Sequence, residues 1–183
     1  MTYEIDIAGL KRELTLCRLT DDLYIGGFVI FGDVEITEHS ARELLKKAPE
    51  FDYIVTPEAK AIPLAYEMSR QSGKPYIVTR KKVKAYMSDV FQVNVRSITT
   101  AGVQTLILDK KDADKIRGSR ILIVDDVIST GESLRAVEEL VKAAEGDIVA
   151  KCAVLAEGDA ADRSDITILA PLPLFNADGT PKA

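Results

Sequence analysis

The chain predicts an α/β fold, a doubly wound and mainly parallel sheet, and three stretches carry the prediction. Ile121-Leu122-Ile123-Val124 is an apolar, mostly β-branched run ending in Asp125-Asp126, followed by hydroxyls around Gly131 and a helical pattern. Tyr53-Ile54-Val55-Thr56 is a second apolar run ahead of a turn and a helix, and Tyr76-Ile77-Val78-Thr79 is a third. Short apolar runs alternating with helical patterns read as strands buried on both faces of a parallel sheet. The strand order is expected to reverse between the 121–124 strand and its neighbours. In such a sheet, ligands bind at the C-terminal ends of the strands.

In chain order, Tyr3–Ile7 and Leu14–Cys17 alternate at period two and read as strands. Leu23–Phe31 is a further extended run, interrupted by Gly26-Gly27. A helix is expected over Glu38–Ala48, with Thr37 as its N-cap and Leu44 and Leu45 as its apolar stripe. After the 53–56 strand, a helix runs to about Gln71, with Pro63 in its first turn and Gly73 past its end. Val90–Ser97 and Gly102–Leu108 read as two strands joined near Thr99-Thr100-Ala101-Gly102. Lys110–Gly118 reads as a charged connector. Ser133–Ala144 is a helix whose Leu134, Val137, Leu140, Val141 and Ala144 make a core-facing stripe. Ile148–Leu155 is a strand, Glu157–Arg163 an acidic loop and Ile166–Leu169 a last short strand. Pro171–Phe175 is expected to pack near the N-terminal strands.

The 183 residues carry 46% hydrophobic residues and a net charge of −5. That length suits one domain, residues 1–183, with a real core. The acidic balance leaves no basic footprint for nucleic acid. No apolar run approaches the roughly 20 residues of a membrane helix, and the alternating N-terminus is unlike a signal peptide. Cys17 and Cys152 have no metal-ligand spacing and read as small buried hydrophobes. His39 stands alone and reads as a surface residue. A soluble cytoplasmic protein is expected.

The chemistry concentrates around residues 121–134. Exposed N–H groups leading into a helix N-terminus suit a phosphate. Ser129, Thr130 and Ser133 can add hydroxyl donors, and Gly131 lets the backbone come close to an anion. Asp125 and Asp126 would repel that phosphate, so they face something else, such as sugar hydroxyls or a Mg²⁺-bound water. The missing Gly-Lys-Ser/Thr ending excludes a Walker-type loop. A generic strand–helix turn with surface acids is the bland alternative. A second strand–turn–helix unit holds Lys60 in Pro57-Glu58-Ala59-Lys60-Ala61, where a cation and free N–H groups suit pyrophosphate. An exposed surface lysine is the alternative there. The basic run from Arg80 to Lys84 follows the 76–79 strand toward the same end of the sheet.

The stretch from Ile121 to Leu134 resembles the motif that binds 5-phosphoribosyl 1-diphosphate (PRPP) in the type I phosphoribosyltransferases. The resemblance extends over roughly residues 28–156 and is nearest the adenine enzymes. It implies that Asp125, Asp126, Val127, Ile128, Ser129, Thr130, Gly131, Glu132 and Ser133 bind PRPP. Residues 129–133 would cradle the 5-phosphate, and Asp125 and Asp126 would address the ribose hydroxyls. It makes Glu58, Ala59 and Lys60 the pyrophosphate loop, which is Glu-Ala-Arg-Gly in the adenine enzymes. It also makes Arg80, Lys81 and Lys84 the cations beside a flexible flap over residues 81 to about 105. That flap usually carries a Glu-Tyr pair, and here the sequence is Ser97-Ile98-Thr99-Thr100. The order Phe31-Gly32-Asp33-Val34 resembles the purine-pocket stretch and implies that Ile30 and Phe31 contact the base. Phe31 as a core aromatic at a strand end is the alternative reading.

The function implied is transfer of ribose 5-phosphate from PRPP to a purine, adenine first, with release of pyrophosphate. Asp125, Asp126, Lys60 and Lys84 are the catalytic candidates. Mg²⁺ is the implied cofactor, carried by PRPP rather than by a protein metal cluster. N- and C-terminal segments forming a small hood, and a homodimer, are implied likewise. Xanthine or hypoxanthine/guanine specificity, a regulator that senses PRPP without turnover, and a plain nucleotide-binding scaffold remain as alternatives.

Overall fold

A computed structural model describes residues 1–96 and 103–182. Five strands build its main sheet: β4 (Tyr53–Pro57), β5 (Tyr76–Thr79), β8 (Arg120–Ile128), β9 (Asp147–Glu157) and β10 (Thr167–Leu172). Their order is β10-β9-β8-β4-β5 and every pairing is parallel. The order therefore reverses between β4 and β8, as the sequence predicts. β4 pairs β8 only from Tyr53↔Ile121 to Val55↔Ile123, whereas β9 follows β8 to Ile128↔Ala156. Beyond Ile123 one edge of β8 faces an opening, and that is the crevice where ligands bind in this architecture.

Among the described residues, four helices cover the two faces. Helices α1 (Val34–Lys47) and α2 (Ile62–Ser72) bury Ile36, Leu44, Leu64 and Met68 in a core shared with Leu122, Val124 and Val154. Helices α3 (Lys110–Ile116) and α4 (Glu132–Ala143) bury Ile116, Val137, Leu140 and Val141 against Ile121, Ile123 and Ala153. Alternate residues of β8 thus feed opposite cores, which is what strand pleating requires. The hairpin β6 (Val90–Arg96) and β7 (Val103–Asp109) is antiparallel and adds Leu106 and Leu108 to the α3/α4 core. The Thr99–Gly102 connection expected between those strands, and Ser97-Ile98-Thr99-Thr100 with it, fall outside the described residues.

A three-stranded sheet, β1 (Thr2–Ile7), β2 (Leu10–Arg18) and β3 (Tyr24–Gly27), forms the N-terminal part. Its Ile5, Ile7 and Leu14 belong to the α1/α2 core. Phe175 ties the C-terminal segment to it. Tyr24 and Phe175 exchange two backbone hydrogen bonds of 2.9 Å, and the Tyr3 and Phe175 ring centroids lie 4.8 Å apart. The expected meeting of Pro171–Phe175 with the N-terminal strands is present.

Several local expectations change. Helix α1 starts at Val34, and its N-cap is Asp33, not Thr37. Asp33 Oδ1 accepts from the Ile36 N–H at 3.0 Å, while Arg12 donates to both Asp33 oxygens. Thr37 lies inside the first turn, its hydroxyl donating to Asp33 O at 2.7 Å. Lys110–Gly118 is largely helix, capped by Asp109, because Ala113 and Ile116 make a short buried stripe that the surrounding charges mask. Cys152 is buried, but Cys17 is exposed. Leu14 and Leu16 take the buried face of β2, so period-two alternation turns Cys17 outward. The last strand extends to Leu172, with Pro171 tolerated because β10 is a sheet edge. The acidic loop after β9 contains a 3₁₀ turn, Gly158–Asp162. Among the described residues, no helix is long and apolar enough to cross a membrane.

Candidate active site

Asp125 and Asp126 sit within β8 rather than after it, because pairing with β9 carries the strand on to Ile128. Both are buried, at 8% and 4% exposure. The Asp126 N–H donates to Asp125 Oδ1 at 2.9 Å. Burial first, and then the neighbouring Asp126 carboxylate, push the Asp125 carboxyl far above the usual carboxylate range. Two carboxyls held side by side in this way gain nothing for the fold. Across the crevice, Lys60 on the β4–α2 turn reaches over with its Nζ 3.3 Å from Asp126 Oδ2. That oxygen is buried and, apart from this ion pair, has no hydrogen-bond partner among the described residues.

A second charged cluster lies on the same turn. Glu58 Oε1 accepts from the Lys81 N–H at 3.0 Å, and Glu58 Oε2 accepts from Arg80 Nη1 at 3.1 Å. Lys84 Nζ stands 3.7 Å from Glu58 Oε2. Burial opposes the Glu58 charge, but the Lys81 N–H, Arg80 and Lys84 outweigh it and hold the carboxyl below its ordinary range. Arg80 is placed by two 2.8 Å backbone hydrogen bonds with Ile107 of β7, so the hairpin base and this cluster are mechanically joined. The peptide bond between Glu58 and Ala59 is cis. Lys60 and the Arg80–Lys84 group therefore flank one turn, and an anion arriving there meets several cations at once.

The hydroxyl-rich loop Ser129–Ser133 closes the other end. Gly131 is the N-cap residue of α4 and has φ +77°, a left-handed conformation that favours glycine. Beside the loop lies a cavity of about 590 Å³ between the ends of β8 and β9 and the N-terminal sheet. Ser129 and Thr130 line one side, and Leu23, Ile25 and Leu174 supply an apolar one. Glu157, at the end of β9, is half-buried there; burial raises its pKa and Lys60 works against the rise.

The structure thus brings together Asp125, Asp126, Lys60, Glu58, Arg80, Lys81, Lys84 and the 129–133 loop. It sets Ile30 and Phe31 apart from the cavity beside that loop. Ile30 is 1% exposed and lines a smaller pocket with Pro63 and Tyr66, while Phe31 is exposed. Sequence reasoning missed Glu157, Leu174 and Arg163 as cavity residues. The one signal in the sequence was a lone arginine closing an acidic loop.

This crevice between two acids and a lysine turn defines a class. The model of the phosphoribosyl transferase domain matches residues 34–169, and the chain belongs to that family. A hypoxanthine/guanine phosphoribosyltransferase of Methanothermus fervidus is 34% identical over 110 residues, 60% of this chain and 54% of that protein. The chain therefore spans about half the length of that relative. One of Methanothermobacter thermautotrophicus is 28% identical over 81% of this chain and 76% of its own length. Other curated relatives are named for adenine, xanthine and orotate transfer. The crystal structure of an adenine phosphoribosyltransferase from Thermoanaerobacter pseudethanolicus shares the fold, with TM-score 0.65 and 22% identity over 78% of this chain and 84% of that one.

Proposed function

We propose that the protein is a Mg²⁺-dependent purine phosphoribosyltransferase, with adenine its first candidate base. It makes a nucleoside monophosphate and pyrophosphate from PRPP and a free purine. The observation that carries the reading is the crevice in which Asp125 and Asp126 face Lys60, with the 129–133 loop at one end and the Glu58 cation cluster at the other. A ligand with a monophosphate, a diol and a diphosphate in that order has the matching charge sequence.

In this reading the 5-phosphate rests on the 129–133 loop and α4 N-terminus. Asp125 and Asp126 accept hydrogen bonds from the ribose hydroxyls and lie near the positive charge that develops on the ribosyl carbon. The carbon–oxygen bond to pyrophosphate breaks, and the leaving group departs with the electron pair. Lys60, Arg80, Lys81 and Lys84 stabilise that charge. The ring nitrogen of the base then supplies the lone pair for the new bond, and the proton the base gives up passes to the departing pyrophosphate. No covalent nucleophile is required, and positioning supplies much of the acceleration. Among the described residues no group of three or more metal-ligating side chains occurs. The Asp125/Asp126 pair, whose buried Asp126 Oδ2 has only the Lys60 ion pair among the described residues, would suit a Mg²⁺ carried by PRPP. When bound, the ion supplies charge neutralisation at the leaving pyrophosphate.

The base half of the reading rests on Glu157. A carboxyl there can accept a hydrogen bond from an exocyclic amine, which adenine has and hypoxanthine and xanthine lack. A homodimer and a cytoplasmic setting complete the proposal; the two free cysteines suit a reducing compartment. The test is incubation with Mg-PRPP and adenine, hypoxanthine, guanine or xanthine in turn, with assay of nucleotide and pyrophosphate. Saturable PRPP binding without turnover of any base would instead support a PRPP-sensing regulator.

A further inference from the structure

We infer that Glu58 is a positioning residue rather than a PRPP contact: it holds Arg80 and Lys84 together, ready for a diphosphate. The inference rests on the PRPP reading of this turn. Both oxygens of Glu58 are already engaged by the protein. Oε1 accepts from the Lys81 N–H at 3.0 Å, and Oε2 is shared by Arg80 Nη1 at 3.1 Å and Lys84 Nζ at 3.7 Å. The Glu58 N–H donates to Thr79 O at 3.1 Å, which continues the pairing of β4 with β5 past Pro57↔Thr79. Glu58 therefore grips the end of β5 through its main chain and its side chain at once. Arg80 in turn exchanges two 2.8 Å backbone hydrogen bonds with Ile107 of β7, so the grip extends to the base of the β6–β7 hairpin. The Glu58 side chain is only 18% exposed, which limits screening of its charge by water.

Arg80 and Lys84 carry like charges on long, flexible stems. A carboxylate shared between them offsets their repulsion. It also removes rotamer freedom before any ligand arrives, and that is freedom a ligand would otherwise have to remove. Arg80 commits only Nη1 to Glu58, and its Nε and Nη2 make no hydrogen bond among the described residues, so they are left to meet an anion. Charge and positioning then predict opposite signs. A carboxylate beside an anion site repels the anion, so on charge alone its removal strengthens pyrophosphate binding. If Glu58 acts by positioning, its removal weakens pyrophosphate even though the cluster becomes more positive.

Calorimetric titrations of wild type, Glu58→Gln and Glu58→Asp with pyrophosphate and with ribose 5-phosphate test this. Glu58→Gln should weaken pyrophosphate about fivefold or more and leave ribose 5-phosphate, at the other end of the crevice, within about twofold. Glu58→Asp should recover part of the loss, since it restores the charge on a shorter stem. Pyrophosphate binding by Glu58→Gln as tight as wild type, or tighter, overturns the inference. An equal weakening of ribose 5-phosphate also overturns it, because a loss shared by both ends marks a general structural role. Wild-type protein that binds neither ligand would sink the PRPP reading itself, and the positioning role with it.

Discussion

At Asp125 the fold holds a carboxyl whose charge it disfavours. Its folded-state pKa lies well above the unfolded value of 3.8, chiefly through burial and then through Asp126. The sign follows: below pH 3.8 there is no penalty, and stability is lost as pH rises from there toward the raised folded value. Asp125→Asn should therefore stabilise the protein at pH 7 by on the order of 2 kcal/mol, with little gain at pH 4. Urea unfolding of both proteins at the two pH values checks this, and equal gains at both would remove burial of charge as the cause. The same variant should lose turnover by about a hundredfold or more, since a site carboxylate stabilises developing positive charge. Gly131→Ala meets a left-handed φ of +77° and the Arg163 contact together. It should cost about 1–2 kcal/mol, read by thermal melting, and weaken PRPP. The acids, Lys60 and the loop hydroxyls were legible in sequence because each is set by its position relative to a strand end. Glu157 and Arg163 were not, because their meaning comes from what the chain folds against them.

At the scale of elements, α1 shows how a long-range partner decides a helix start. Thr37 is a sound local cap, yet Asp33 takes the role because Arg12, on β2, holds its carboxylate. The Arg12 hydrogen bond lowers the Asp33 pKa, with burial opposing and the Ile36 N–H assisting. That stabilisation is present above the unfolded pKa of 3.8 and is lost as pH falls through the folded value. Asp33→Ala should destabilise by about 1–2 kcal/mol at pH 7, and by clearly less at pH 3. Chemical denaturation would show whether the difference collapses on acidification, and a pH-independent cost would assign it to packing instead. Helix α3 teaches the converse lesson. Its Lys110–Asp114 and Asp112–Lys115 pairs have helical spacing, but its apolar signal is only Ala113 and Ile116. A stripe that short is visible only once β6, β7 and α4 supply the surface it packs on.

For the whole molecule, Phe175 is the tie between its two ends. It is fully buried, bridges β3 and packs on Tyr3. Phe175→Ala should cost about 3–5 kcal/mol, seen as a lowered melting temperature, and should loosen the wall of the 590 Å³ cavity that Leu23 and Leu174 form. A melting temperature within a degree of wild type would show the two segments to be independent. The exposed apolar residues Val29, Phe31, Val34 and Tyr66 cluster around the start of α1 and one face of α2. Sedimentation at micromolar concentration checks the proposed homodimer. By itself the sequence determined the parallel sheet, its switch point and the strand–loop–helix unit that carries Asp125, Asp126 and the 129–133 loop, because a buried strand, its acids and a helix N-terminus are local and contiguous. Only the tertiary structure decided where the 590 Å³ cavity lies, which cations share Glu58, and that Arg163 overlooks Gly131. Those groups are distant in sequence, and their positions depend on strand order and on segments meeting across it, which no local pattern encodes.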